Sequence, residues 1–192
     1  MNEIPNFTIK NRGPVSDCFY KIGVQDFHQA IHYAGNLPYG RNSDRSNYYL
    51  MFKEEVGTCS TKHAALAKLC EEQNVEDILL FTGIYEMDGI NTPGIGEVLE
   101  KYNLKALPEA HCYLKYEGQH YDFTRSETSE NEISYFLDEK AIRPWQIGAD
   151  KEEYHQSYIS HWIKKNGLEP KYTPDEIWKI REACIHQLAV KG

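Results

Sequence analysis

Cys59, His111 and Asp122 follow one another in an order suited to thiol chemistry. In such chemistry a thiolate attacks a carbonyl carbon, an imidazole carries the proton, and a carboxylate holds the imidazole in one tautomer. Cys59 stands in Gly57, Thr58, Cys59, Ser60, just before a helical pattern whose apolar stripe is Ala65, Leu66, Leu69 and Cys70. A thiol at a helix start feels unpaired backbone N–H groups and the positive end of the helix dipole, and both favour the thiolate. Gly57 is expected to let the backbone turn sharply and to leave room for a substrate.

His111 to Tyr116 and Gln119 to Thr124 are alternating runs that flank Glu117 and Gly118, a two-residue hairpin signal. Counting outward sets Tyr116 opposite Gln119, Tyr113 opposite Asp122 and His111 opposite Thr124. Alternation then gathers His111, Tyr113, Lys115, His120, Asp122 and Thr124 on a polar face. Cys112, Leu114, Tyr116, Tyr121 and Phe123 share the face that packs on the core. His111 and Asp122 become diagonal neighbours, their Cα atoms about 7–8 Å apart. His63, four residues after Cys59 on the same helical face, is the rival base, but this pattern gives it no acidic partner. Lys62 and His63 are expected at the surface or on a substrate rim. The oxyanion would take the Cys59 backbone N–H and one side-chain donor from Gln25, Asn36 or Tyr39.

The elements that must position these groups are readable from periodicity. Helices are expected over Val24 to Ala34, over Ser46 to Glu55 and from Thr58 or Cys59 to Asn74. A strand is expected over Ile78 to Met87, and one or two helical turns over Glu97 to Tyr102. Ser126 to Glu132 reads as a polar loop, and Ile133 to Leu137 is ambiguous. A long helix opens at Asp150 and ends at Gly167. Thr173, Pro174, Asp175 and Glu176 form a capping box that starts another, running to about Val190.

With 21 basic and 29 acidic residues the chain carries a formal charge of −8, which repels nucleic acid and anionic membrane on average. No window approaches a membrane span. The five cysteines have no disulfide-like spacing and read as reduced thiols, and the first ten residues lack a secretory pattern. A cytoplasmic setting is therefore expected. No His/Cys cluster has metal-ligand spacing, so neither a metal nor a cofactor is expected.

Taken together, these residues resemble the transglutaminase-like branch of the papain-like cysteine enzyme superfamily. The likeness rests on the Gly57, Thr58, Cys59, Ser60 helix start, the strand after it, His111 on one strand, and Asp122 before Phe123 and Thr124 on the next. It covers roughly Gln25 to Thr124. The resemblance implies an α+β fold with a Cys-bearing helix packed on an antiparallel sheet, Cys59 as nucleophile, His111 as base and Asp122 as orienting acid. Cys112 and Tyr113 stand where an aromatic, usually Trp, often follows the family His, and all three Trp (145, 162, 178) come late. Hydrolysis is therefore expected over protein crosslinking.

The expectation is a core over residues 1–140 with a helical C-terminal extension over 141–192. The activity expected is peptidase or amidase hydrolysis, or transfer, on a peptide or small amide or acyl substrate. Two alternatives share the same residues. One is a catalytically silent binding module of this fold. The other is an acyltransferase with a coenzyme thioester donor, for which no nucleotide-binding signal is present.

Overall fold

The computed structural model describes residues 3–10, 12–126, 133 and 135–191; of the polar loop expected over Ser126 to Glu132, all but Ser126 lies outside the described residues. The class is α+β. The described elements are α1 (Pro14–Lys21), α2 (Phe27–Asn36), α3 (Leu50–Glu54), α4 (Cys59–Glu72), β1 (Leu79–Asp88), α5 (Gly96–Lys101), β2 (Ala106–Tyr116), β3 (Gln119–Tyr121), β4 (Asp138–Ala141), a 3-10 turn (Pro144–Ile147), α6 (Ala149–Lys165) and α7 (Pro174–Lys191). The four strands form one antiparallel sheet in the order β3-β2-β1-β4.

Most boundaries follow local chemistry. Asp26 caps α2 by accepting from the Gln29 N–H at 2.9 Å. Thr58 and Thr61 cap each other at the start of α4, and Asn74 in the left-handed region (φ 57°) closes its end. At the start of α7, the Thr173 N–H donates to Glu176 at 2.8 Å and the Glu176 N–H to the Thr173 hydroxyl at 3.3 Å. Helix α1 is capped from a distance: the Glu72 carboxylate, at the end of α4, accepts from the Val15 N–H at 3.1 Å and the Ser16 N–H at 2.7 Å.

The chain divides into two compact units that interleave along the sequence. The first is Met1–Thr82, Cys112–Thr128 and Lys140–Gly148; the second is Gly83–His111, Ser129–Glu139 and Ala149–Gly192. The first unit's core joins Ala65, Leu66, Leu69 and Cys70 of α4 to Leu80 of β1 and to Cys112 and Leu114 of β2. Phe19 is fully buried there and meets Phe52 edge-on at 4.8 Å. Each such large apolar side chain contributes about 1.5–3 kcal/mol by leaving water. The second unit's core joins Tyr85, Met87, Leu99 and Leu107 to Ile159, Trp162 and Ile163 of α6 and Ile177 and Ile180 of α7.

The hairpin register is the expected one as far as Tyr121: Tyr116 pairs with Gln119, Lys115 with His120 and Leu114 with Tyr121, whereas the expected pairs Tyr113–Asp122 and His111–Thr124 are not part of the described ladder. Glu117 (φ 48°) and Gly118 (φ 79°) make the two-residue turn. Two features differ from expectation. Strand β2 begins at Ala106, five residues before His111, and β3 ends at Tyr121, so Asp122, Phe123 and Thr124 lie beyond the described strand. What draws this segment elsewhere is side-chain chemistry on α4.

Candidate active site

Cys59 is the first residue of α4 and is 7% exposed, with Sγ 3.9 Å from the Ser60 hydroxyl. The approach to it is a short bridge between two loops. Tyr39 runs parallel to Gly57, the Gly40 N–H donates to the Gly57 carbonyl at 3.2 Å, and the Gly57 N–H donates to the Pro38 carbonyl at 3.1 Å. The space beside Gly57 is filled by protein. A Cβ there would lie 3.0 Å from Lys62 Cγ and 3.1 Å from the Thr61 hydroxyl. Gly57 is needed for the close passage of Lys62, which corrects the expectation of a sharp turn with room for substrate.

Lys62 and His63 are both fully buried, contrary to the expected surface or rim placement. Lys62 Nζ donates to the Leu37 carbonyl at 2.6 Å and the Thr124 carbonyl at 2.7 Å. Burial pushes its ammonium down to about 8 and Arg125 adds to this, while Cys59 and Asp122 favour the charged form. His63 Nδ1 lies 2.8 Å from the Cys59 carbonyl, and Nε2 accepts the Phe123 N–H at 2.8 Å. A backbone N–H can only donate, so Nε2 is bare and the proton sits on Nδ1. That assigns a neutral imidazole with both nitrogens spent on backbone. It also explains the end of β3, because Phe123 pairs with a histidine of α4.

Asp122 is brought to the same helix turn. Its Oδ1 accepts from the Thr124 N–H at 2.9 Å and the Thr124 hydroxyl at 2.5 Å, and lies 3.6 Å from His63 Nε2. The rival histidine thus has the acidic neighbour that the sequence pattern did not give it. With Nε2 already accepting from Phe123, this approach becomes a hydrogen bond only if His63 gains a second proton.

His111 lies on β2, in the second unit. It shares a strand face with Leu107 and Glu109, and its ring meets Tyr85 edge-on at 6.3 Å. Its neighbours Cys112 and Leu114 are buried in the first unit's core, as expected for the apolar face.

Of the three candidate oxyanion donors, Tyr39 flanks the Cys59 loop, with the Arg125 guanidinium 5.6 Å over its ring. Asn36, at the end of α2, donates to the His32 carbonyl at 2.9 Å. It lines a groove of about 690 Å³ with His28, His32, Tyr33 and Leu37. Gln25 is exposed just before α2, its N–H donating to Gln29 Oε1 at 2.9 Å. The groove reaches Leu37, whose carbonyl receives Lys62.

Sequence reasoning missed the buried pair Lys62 and His63. A signal for them exists: Ala64, Ala65, Leu66 and Ala67 are small or apolar on successive sides of α4, the mark of a helix covered around most of its girth. Among the described residues, no group of three or more His, Cys, Asp or Glu is placed to hold a metal ion. Nor is any described helix long and apolar enough to cross a membrane. Comparisons of the chain with family models, with curated proteins and with solved structures find no match.

Proposed function

We propose that this chain carries out cysteine-dependent acyl chemistry, with Cys59 attacking an amide or related acyl carbon. The observation that carries the reading is the meeting at one helix turn of three things: a cysteine at the capped N-terminus of a fourteen-residue helix, a buried lysine and the Asp122 turn. The thiolate adds to the carbonyl carbon and the tetrahedral adduct expels the amine, leaving a thioester on Cys59. Water then adds to the thioester carbonyl, the C–S bond breaks, and the acid and thiolate are released. By the family likeness His111 takes the proton from the thiol and later from water, and delivers the first to the leaving amine. Hydrolysis of peptide or small amide bonds is favoured over crosslinking.

A second reading, a silent binding module, draws support from His63 and Asp122. Both are engaged with backbone at the first turn of α4 and after β3, as a purely structural tie would be.

One experiment separates the two. An electrophilic thiol probe and a panel of amides and esters are applied at pH 6 to the wild type and to Cys59→Ala, His111→Ala and His63→Ala. The enzyme reading expects rapid labelling confined to Cys59, slowed at least tenfold by His111→Ala, with turnover lost in Cys59→Ala. A Cys59 that labels like an ordinary thiol of pKa about 8.5, with no turnover, leaves only the module.

A further inference from the structure

Lys62 has an unusual environment for its type. Lysine is almost never fully buried unless paired, yet Lys62 is 0% exposed and its two hydrogen bonds go to neutral backbone carbonyls. The bonds, 2.6 and 2.7 Å, have the short lengths of charge-assisted contacts. An ammonium has three donors, so two carbonyls leave one N–H and a whole positive charge to be balanced. A buried charge with no counter-charge is costly.

Among the described residues, the anionic candidates around it are two. Asp122 favours the charged form, but its side chain is 44% exposed, so solvent screens its charge. Cys59 is buried, lies three residues earlier on the same face of α4, and becomes an anion by losing one proton. Among the described residues, two other ionisable groups nearby do not compete. Arg125 carries the same sign as Lys62 and stands over the Tyr39 ring, and His63 is held neutral by its two backbone partners.

We infer that Lys62 is a positioning residue of the Cys59 site, its buried ammonium being the counter-charge that holds Cys59 as thiolate while its two carbonyl bonds pin the loop at Leu37 and the turn at Thr124 around it. The inference deepens the acyl-chemistry reading and rests on it. In this role Lys62 sets the ionisation and the position of the nucleophile. Gly57 belongs to the same device, since a side chain there would displace the lysine stem.

The test is the pH dependence of Cys59 alkylation by iodoacetamide in the wild type, Lys62→Gln and Lys62→Arg, with folding checked by thermal unfolding. Lys62→Gln keeps N–H donors and removes the charge. It is expected to raise the Cys59 midpoint by about one unit, about tenfold slower alkylation at pH 6.5. Lys62→Arg keeps the charge and is expected to stay within about threefold of wild type. An unchanged midpoint in folded Lys62→Gln overturns the inference. Should Lys62→Gln not fold, the reciprocal measurement decides, because coupled titrations act both ways. In Cys59→Ser the NMR titration of the Lys62 side chain must move to lower pH, and an unmoved midpoint overturns the inference. Loss of turnover on every amide and ester tested, with the Lys62 effect intact, would instead count against the acyl-chemistry reading alone.

Discussion

His63 spends both ring nitrogens on backbone, one within its own helix and one on Phe123. Replacing it by Ala strips the half-buried Phe123 N–H of its partner, removes a side-chain contact from the Cys59 carbonyl and empties a ring-sized space. His63→Ala is expected to lose about 2–4 kcal/mol of stability, read from urea unfolding; a loss under about 0.5 kcal/mol would show that these bonds are replaced by others. The start of α4 at Cys59 was legible because Thr58 is a good N-cap and the apolar spacing begins just after it. The burial of Lys62 and His63 was not, because it depends on what covers their side of α4. Leu37, Phe123 and Thr124, far away in sequence, supply those partners, and no local pattern encodes them. Asp122 was legible as an acid near the hairpin, whereas its approach to His63 required knowing that β3 stops at Tyr121.

Helix α1 carries the same lesson for whole elements. Gly13 offers no side-chain cap, and the Glu72 carboxylate replaces it from α4. Its Cβ-less backbone is what admits that carboxylate, since a Cβ at Gly13 would collide with it. A helix start whose cap lies 57 residues away leaves no signature in its own sequence. Glu72→Ala is expected to fray the first turn of α1, with faster amide exchange at Val15 and Ser16 and a stability loss of about 1–2 kcal/mol. Strand β4 escaped notice for another reason. Its sequence, Asp138, Glu139, Lys140 and Ala141, is charged and mostly exposed, as sheet edges are when they must resist further pairing. The hairpin, α6 and α7 were readable because turn residues, caps and periodicity agreed within each.

At the scale of the whole molecule, each unit buries ionisable groups of its own, and in the second unit they include Glu109, His155 and Arg181. Burial pushes His155 down to about 4, and its Nε2 donates to the Pro108 carbonyl at 2.8 Å. Burial alone would raise the neighbouring Glu109 carboxyl, but Arg181, bound to it at 2.6 and 2.5 Å, holds it at about 2. Both groups bind protons more tightly when unfolded, so both contribute stability that is lost as pH falls. His155 contributes fully above its ordinary value near 6.5 and loses that contribution as pH drops toward 4. Glu109 follows between about 4.5 and 2. The unit is expected to lose about 2–3 kcal/mol between pH 7 and pH 4.5, with a smaller drop in His155→Gln, measured by denaturant unfolding at the two pH values. Finally, the chain crosses between its two units five times, and the exposed turn at Glu117 and Gly118 falls midway through those crossings. A nick there would leave two fragments, each owning part of both cores: α4 with Cys112 and Leu114 before the cut and Ile142 with Ile147 after it, Leu107 before and Trp162 after. Cleaving the backbone at that turn therefore would not liberate either half, because the severed pieces remain clasped through two separate oily interiors.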